Sequence, residues 1–145
     1  MKKLTAATLA AFLFLSNTNS AYASDNIFNR AFSFIGLHER THRAQIQSVT
    51  KVDPVRVPWC AAFLNGILRM SGKPTTKSNK AISFAKYGSP TRSPKKGDIV
   101  VFRGHVGLFN GYTGKGRISV LGGNQSNKVK ISTYSKKSVV TIRKI

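Results

Sequence analysis

The spacing of apolar residues changes once along this chain, near Lys95, and that change restricts the fold more than any other feature of the sequence. Before it, apolar residues recur three and four positions apart, as on the buried face of a helix. After it, short alternating segments separated by glycine-rich turns are typical of β-strands. This order predicts an α+β fold with N-terminal helices packed on a C-terminal antiparallel sheet of about five strands.

The same spacing locates the individual elements. Helical segments are predicted within residues 25–41, ending near Gly36, then at 60–70 and, briefly, at 81–87. Residues 43–57 are basic and contain Pro54, which predicts a loop. Strands are predicted at residues 98–103, 105–112, 117–124, 128–133 and 139–145.

The first 23 residues have the three parts of a secretory signal peptide. Lys2 and Lys3 form a basic start, residues 4–15 an apolar run, and Ala21-Tyr22-Ala23 a small-x-small cleavage site. The apolar run is too short for a spanning helix. Cleavage after Ala23 leaves residues 24–145, enough for one domain with one core. We therefore expect a single-domain, monomeric protein that is secreted or periplasmic.

The mature chain predicted in this way is strongly basic. It keeps 22 of the 24 Lys and Arg residues against four acids, a formal net charge of +18. Nucleic acid is the usual partner of a cytosolic chain this basic, but an exported protein meets anionic envelope polymers and acidic phospholipids instead. We expect binding to such polymers, with peripheral contact at the membrane surface and no nucleic acid. A purely solubilising role of the charge stays open.

Cys60, the only cysteine, lies at the predicted start of the helix at residues 60–70. A lone cysteine cannot form an internal disulfide, and a free thiol in an oxidising compartment is a liability without a task. At a helix N-terminus the sulfur lies near unpaired backbone N–H groups, which favour the thiolate. These features predict a catalytic nucleophile, and the alternative is a small buried apolar residue.

A nucleophilic thiolate needs a base, and His105 is the candidate. It opens a predicted strand beside Gly104, whose missing side chain leaves room for the backbone of a substrate. The alternative is a structural histidine at a strand end.

The hairpin register predicts the residue that orients His105. The predicted hairpin pairs Phe109 with Val120. The same register places His105 opposite Asn124, both on the apolar face that a helix would cover. An Asn amide oxygen there can accept the imidazole N–H and fix the tautomer. If the turn slips by one residue, Gln125 takes that role.

Four motifs in order carry a resemblance to a known family. They are Pro58-Trp59-Cys60-Ala61-Ala62-Phe63, Lys96-Gly97-Asp98-Ile99-Val100-Val101-Phe102, Gly104-His105-Val106-Gly107 and Val120-Leu121-Gly122-Gly123-Asn124-Gln125-Ser126. From about Asn26 to the C-terminus, the chain resembles the CHAP/NlpC-like cysteine peptidoglycan hydrolases. It is more closely similar to a short subfamily of phage lysins and secreted bacterial wall enzymes.

The resemblance implies a papain-like core and hydrolysis of an amide bond in peptidoglycan, without metal or cofactor. Cys60 would be the nucleophile, His105 the base and Asn124 the third member of the site. Many relatives carry an acidic residue near that third position, where Gly122 and Gly123 stand here. The bond could be that of an amidase or of an endopeptidase. Gly104 and Gln125 would contact the substrate, and Trp59 would either line the cleft or fill the core.

Two other functions stay open from the sequence. Residues 38–42 spell H-E-x-x-H, the zinc-protease motif in which His38 and His42 would bind the metal and Glu39 would act as base. The motif follows Gly36, where the helix is expected to end, so we interpret Glu39 as structural. The other possibility is a non-enzymatic cationic protein that binds or disrupts the envelope.

Overall fold

Helices precede a six-stranded sheet in the computed structural model, which describes residues 15–145 and the side chains from Tyr22 onward. This confirms the α+β class. The α-helices are α1 (Leu15–Phe32), α2 (Arg43–Thr50) and α3 (Cys60–Met70), and 3₁₀ helices span Ala81–Lys86 and Lys136–Ser138. The strands are β1 (Ser89–Pro90), β2 (Ile99–Phe102), β3 (Val106–Tyr112), β4 (Arg117–Gln125), β5 (Lys128–Ser135) and β6 (Val139–Lys144).

The first helix differs from its prediction at both ends. Residues 1–14 of the predicted signal peptide lie outside the described residues. Helix α1 begins at Leu15, continues through the predicted cleavage position after Ala23, and ends at Phe32, ahead of Gly36. Within residues 15–145, no helix has the length and apolar character needed to cross a membrane.

Helix α2 occupies part of the segment predicted as a loop, so that prediction is wrong. Its buried residues Ile46 and Val49 lie on one side. The helix ends at Thr50, and the next residue, Lys51, adopts the left-handed region with φ 61°, three residues before Pro54. An eight-residue helix is marginal by itself, so packing of this apolar side supplies its stability.

The sheet is antiparallel, with strand order β1-β6-β2-β3-β4-β5. Strands β2 to β5 follow one another as the predicted meander. The last strand departs from it, because β6 returns to pair with β2 instead of extending the sheet beside β5. The short β1, absent from the prediction, adds to the outer edge of β6.

Each face of the sheet buries its own apolar cluster. Leu108 and Leu121 belong to the main core together with α3, whereas Phe109, Ile118 and Val120 belong to a second cluster. Because neighbouring residues of a strand point to opposite faces, the helix covers the Leu108 and Leu121 face. The prediction that a helix covers the face of Ile118 and Val120 is therefore wrong.

The approach of α2 to α3 depends on Gly66. A methyl group at this position would overlap the backbone carbonyl of Val49 and lie 2.7 Å from its Cγ1 atom. We predict that Gly66→Ala lowers the free energy of unfolding by about 1–3 kcal/mol, because the helices must separate. Urea denaturation measures this change. Gly104→Ala, where a methyl group meets nothing within 4 Å, is the matched control and should unfold like the parent.

Candidate active site

Cys60 is the first residue of α3, and its side chain is 6% exposed. The sulfur interacts with the backbone N–H groups of Cys60 itself, Ala61 and Val106. Two of these groups belong to the start of the helix and the third to the start of β3. The sulfur therefore lies where the helix meets the sheet.

Burial decides the charge of this thiol. It raises the pKa of Cys60, and the three backbone N–H groups only partly oppose that effect. The expectation that the helix N-terminus favours the thiolate is correct for the N–H groups but wrong for the net shift. Burial therefore favours the neutral thiol, and attack from that form requires a base that takes its proton.

His105 bonds to Gln125 in this structure. Its Nε2 atom lies 3.0 Å from Oε1 of Gln125, which is 3% exposed. The amide nitrogen of Gln125 donates to the carbonyl oxygens of Val120 and Lys130, so Oε1 must point toward the imidazole. Tyr134 donates its hydroxyl to the same Oε1 at 2.7 Å. Since Oε1 can only accept, Nε2 carries the proton and Nδ1 is left bare in the neutral ring.

Asn124 does not take the predicted position, and the expectation that it contacts His105 is wrong. The predicted pairing of Phe109 with Val120 is present, but the register of β4 with β5 shifts between Gly122 and Gln125. Asn124 lies in this irregularity with φ 55°, in the left-handed region. Extrapolating a regular strand to the end of β4 therefore fails by one residue.

His105 lies between two residues that reach the cysteine. Gly104 lines the same pocket as Cys60, and the N–H of Val106 interacts with the sulfur. Burial lowers the pKa of His105, and its hydrogen bond with Gln125 opposes that shift. The shift favours the neutral imidazole, whose unprotonated nitrogen can accept a proton.

The two other predicted substrate contacts, Gly104 and Trp59, differ in their exposure. Gly104 is exposed at the pocket, as its role requires. Trp59 is fully buried, and its indole N–H donates to Oε2 of the buried Glu39 at 3.1 Å. Trp59 therefore fills the core and does not line the cleft. A methyl group at Gly123 would lie 2.7 Å from the Trp59 ring, so close packing on this indole requires glycine there.

The H-E-x-x-H segment forms a turn between α1 and α2. The backbone N–H of His38 donates to Nδ1 of His42 at 3.1 Å, and that of Arg40 donates to Nδ1 of His38 at 3.2 Å. Glu39 points inward to Trp59. In the described part of the chain, no three His, Cys, Asp or Glu side chains come close enough to hold a metal ion. The helical zinc-protease geometry is thus not formed.

Sequence comparison adds no family to this picture, since no protein-family model and no curated protein matches the chain. The function is therefore argued from the geometry of the site.

The site includes one residue that the sequence did not indicate, Tyr134. It pairs with Ile118 across β4 and β5, and Ile118 belongs to the second apolar cluster. Extending the register to this second hairpin would have placed the tyrosine on the face of His105.

Alkylation tests the charge of the thiol. Because burial raises the pKa of Cys60, we predict that its reaction with iodoacetamide rises with pH around a midpoint above the ordinary cysteine value of 9.0. The rate of mass increase of the folded protein measures this, with the urea-unfolded protein as control. A midpoint below that of the unfolded chain would contradict the assignment.

Proposed function

We propose that this protein is an exported cysteine amidohydrolase that cleaves an amide bond in the peptide portion of bacterial peptidoglycan. The observation that carries the proposal is the hydrogen-bond chain from Tyr134 through Gln125 to His105, whose chain neighbour Val106 directs its N–H to the sulfur of a lone cysteine at a helix start. This chain gives the imidazole one orientation and one tautomer. A structural histidine needs no such arrangement beside a thiol.

The reaction follows from the two neutral groups. Nδ1 of His105 takes the proton of Cys60 while the sulfur attacks the carbonyl carbon of the substrate. The C–N bond breaks, the imidazolium gives its proton to the leaving amine, and an acyl thioester remains on Cys60. His105 then takes a proton from the water that attacks the thioester carbon. The C–S bond breaks, the acid leaves, and the imidazolium returns its proton to the sulfur of Cys60.

Backbone groups can stabilise the negative charge that develops on the carbonyl oxygen. The first N–H groups of α3 have no partner within the helix and lie beside the sulfur. Gly104 leaves the approach to the sulfur open, since a side chain there would stand at the pocket.

The choice of peptidoglycan rests on the resemblance of four motifs and on the predicted export. A formal charge of +18 on the mature chain favours adhesion to anionic wall polymers, independently of the chemistry at Cys60. The same charge also suits the second candidate, a cationic protein that binds the envelope without catalysis. The two differ in what the cysteine does, so they can be separated by substitution.

We predict that Cys60→Ala and His105→Ala each reduce the hydrolysis of purified peptidoglycan by at least about a thousandfold, because nucleophile and base act as one unit. Release of new amino termini measures the rate, and circular dichroism checks that the fold is retained. Activity within about tenfold of the parent in either folded variant would remove that residue from the mechanism.

Two controls separate the rival functions. A chelator should leave hydrolysis unchanged, whereas loss of activity with chelator and survival of activity in Cys60→Ala would indicate metal chemistry. Binding or killing of cells that persists in Cys60→Ala, with no bond cleaved by the parent, would favour the cationic envelope-binding protein.

The third member of the site gives a separate prediction. Gln125→Ala should lower kcat by about tenfold to a hundredfold, because the imidazole loses its orienting acceptor but keeps its proton-accepting atom. Asn124→Gly is the matched control, since glycine tolerates the left-handed backbone at φ 55° and should leave kcat nearly unchanged. The opposite pattern in two folded variants would assign the role to Asn124.

A further inference from the structure

A pocket of about 310 Å³ opens beside Cys60. Pro58, Ala81 and Ile82 give it an apolar wall, and Lys80 and Arg103 add two positive charges. The two cations come from different parts of the fold, Lys80 from the residue before the 3₁₀ helix Ala81–Lys86 and Arg103 from the connection between β2 and β3. The pocket therefore takes its two positive charges from two different parts of the fold.

Neither cation is paired within the described residues, and both side chains are exposed. The carboxylates that could have neutralised them are used elsewhere. Glu39 is buried against Trp59, and Asp53 binds Arg43 and Arg56.

Asp98 is buried and accepts the backbone N–H of Lys95. Asp25 belongs to α1 and is absent from the lining of this pocket. The pocket thus carries two positive charges and no negative one next to the sulfur.

We propose that Lys80 and Arg103 form a carboxylate-binding subsite beside Cys60. The substrate would then be an acidic peptide that holds a free carboxylate close to the scissile amide, with an aliphatic group against the wall formed by Pro58, Ala81 and Ile82. An ammonium and a guanidinium recognise a carboxylate by charge and by hydrogen bonding. The inference rests on the proposed function for the reaction, but the charge around the thiol can be tested without it.

Alkylation of Cys60 by two reagents of similar size provides that test. Iodoacetate and iodoacetamide react alike, since the S–C bond forms and iodide leaves, but only iodoacetate carries a carboxylate. The ratio of their rates at one pH cancels the thiolate fraction and the burial of the sulfur. We expect this ratio, divided by the ratio for the uncharged thiol 2-mercaptoethanol, to exceed unity by severalfold at low ionic strength, since one charge about 6 Å away contributes roughly threefold.

Single substitutions assign the effect to the two side chains. Lys80→Gln and Arg103→Gln should each lower the normalised ratio by about threefold, and added salt should lower it in the parent. Lys86→Gln is the matched control, because it removes the same charge from the far end of the 3₁₀ helix that Lys80 precedes, at an exposed position outside the pocket. A parent ratio equal to that of 2-mercaptoethanol, or an equal loss in all three variants, would overturn the subsite.

A pair of peptides then tests the substrate class. One peptide carries a free carboxylate close to the scissile amide, and in the other this carboxylate is converted to a side-chain amide. The first peptide should be cleaved with a higher kcat/KM than the second, and Lys80→Gln or Arg103→Gln should reduce that preference. If the parent cleaves neither peptide nor peptidoglycan, the proposed function fails while the alkylation ratio still reports on the subsite. If the parent cleaves both peptides equally through Cys60, the function holds and the subsite is wrong.

Discussion

The amide of Gln125 is the contact on which the candidate site depends. Its nitrogen donates to two backbone carbonyl oxygens, one on β4 and one on β5, and its oxygen accepts from both His105 and Tyr134. Every polar atom of this buried side chain has a partner, so rotating the amide would break several hydrogen bonds at once. The direction of the imidazole is therefore set by the sheet and not by the exposed surface.

The sheet and α3 meet at the other half of the site. The start of β3 brings the N–H of Val106 to the sulfur of Cys60, and His105 is the residue before it. Gly122 and Gly123 let this junction close, because a methyl group at Gly122 would lie 3.3 Å from the amide of Gln125 and one at Gly123 would overlap the ring of Trp59. Burial then raises the pKa of the thiol and lowers that of the imidazole. Both shifts favour neutral groups, which suits proton transfer during attack rather than a preformed ion pair.

The sequence predicted the elements with strong periodicity and missed those that tertiary packing decides. Helix α3 and strands β2 to β6 follow local patterns that are visible in the chain. Helix α2 is short and forms because Ile46 and Val49 are buried, which its basic composition conceals. The return of β6 to β2 is a long-range pairing that no local spacing encodes.

The residues of the candidate site could likewise be predicted where local patterns indicate them and not where tertiary packing decides. Cys60 and His105 could be proposed from one helix start and one strand start, and the pairing of Phe109 with Val120 was correct. The third member could not be fixed, because the irregularity between Gly122 and Gln125 moves the side chains by one residue. This shift depends on the left-handed backbone conformation of Asn124. Most residue types avoid that conformation, whereas asparagine tolerates it.

The central claim is that Cys60 carries an acyl group during turnover. Mass spectrometry of the intact protein, quenched in acid during digestion of a purified peptidoglycan stem peptide, tests it most directly. The account predicts an increase in mass equal to the acyl part of the substrate, located on the peptide that contains Cys60. Release of products with no adduct on the parent protein, together with equal release by Cys60→Ala, would contradict it.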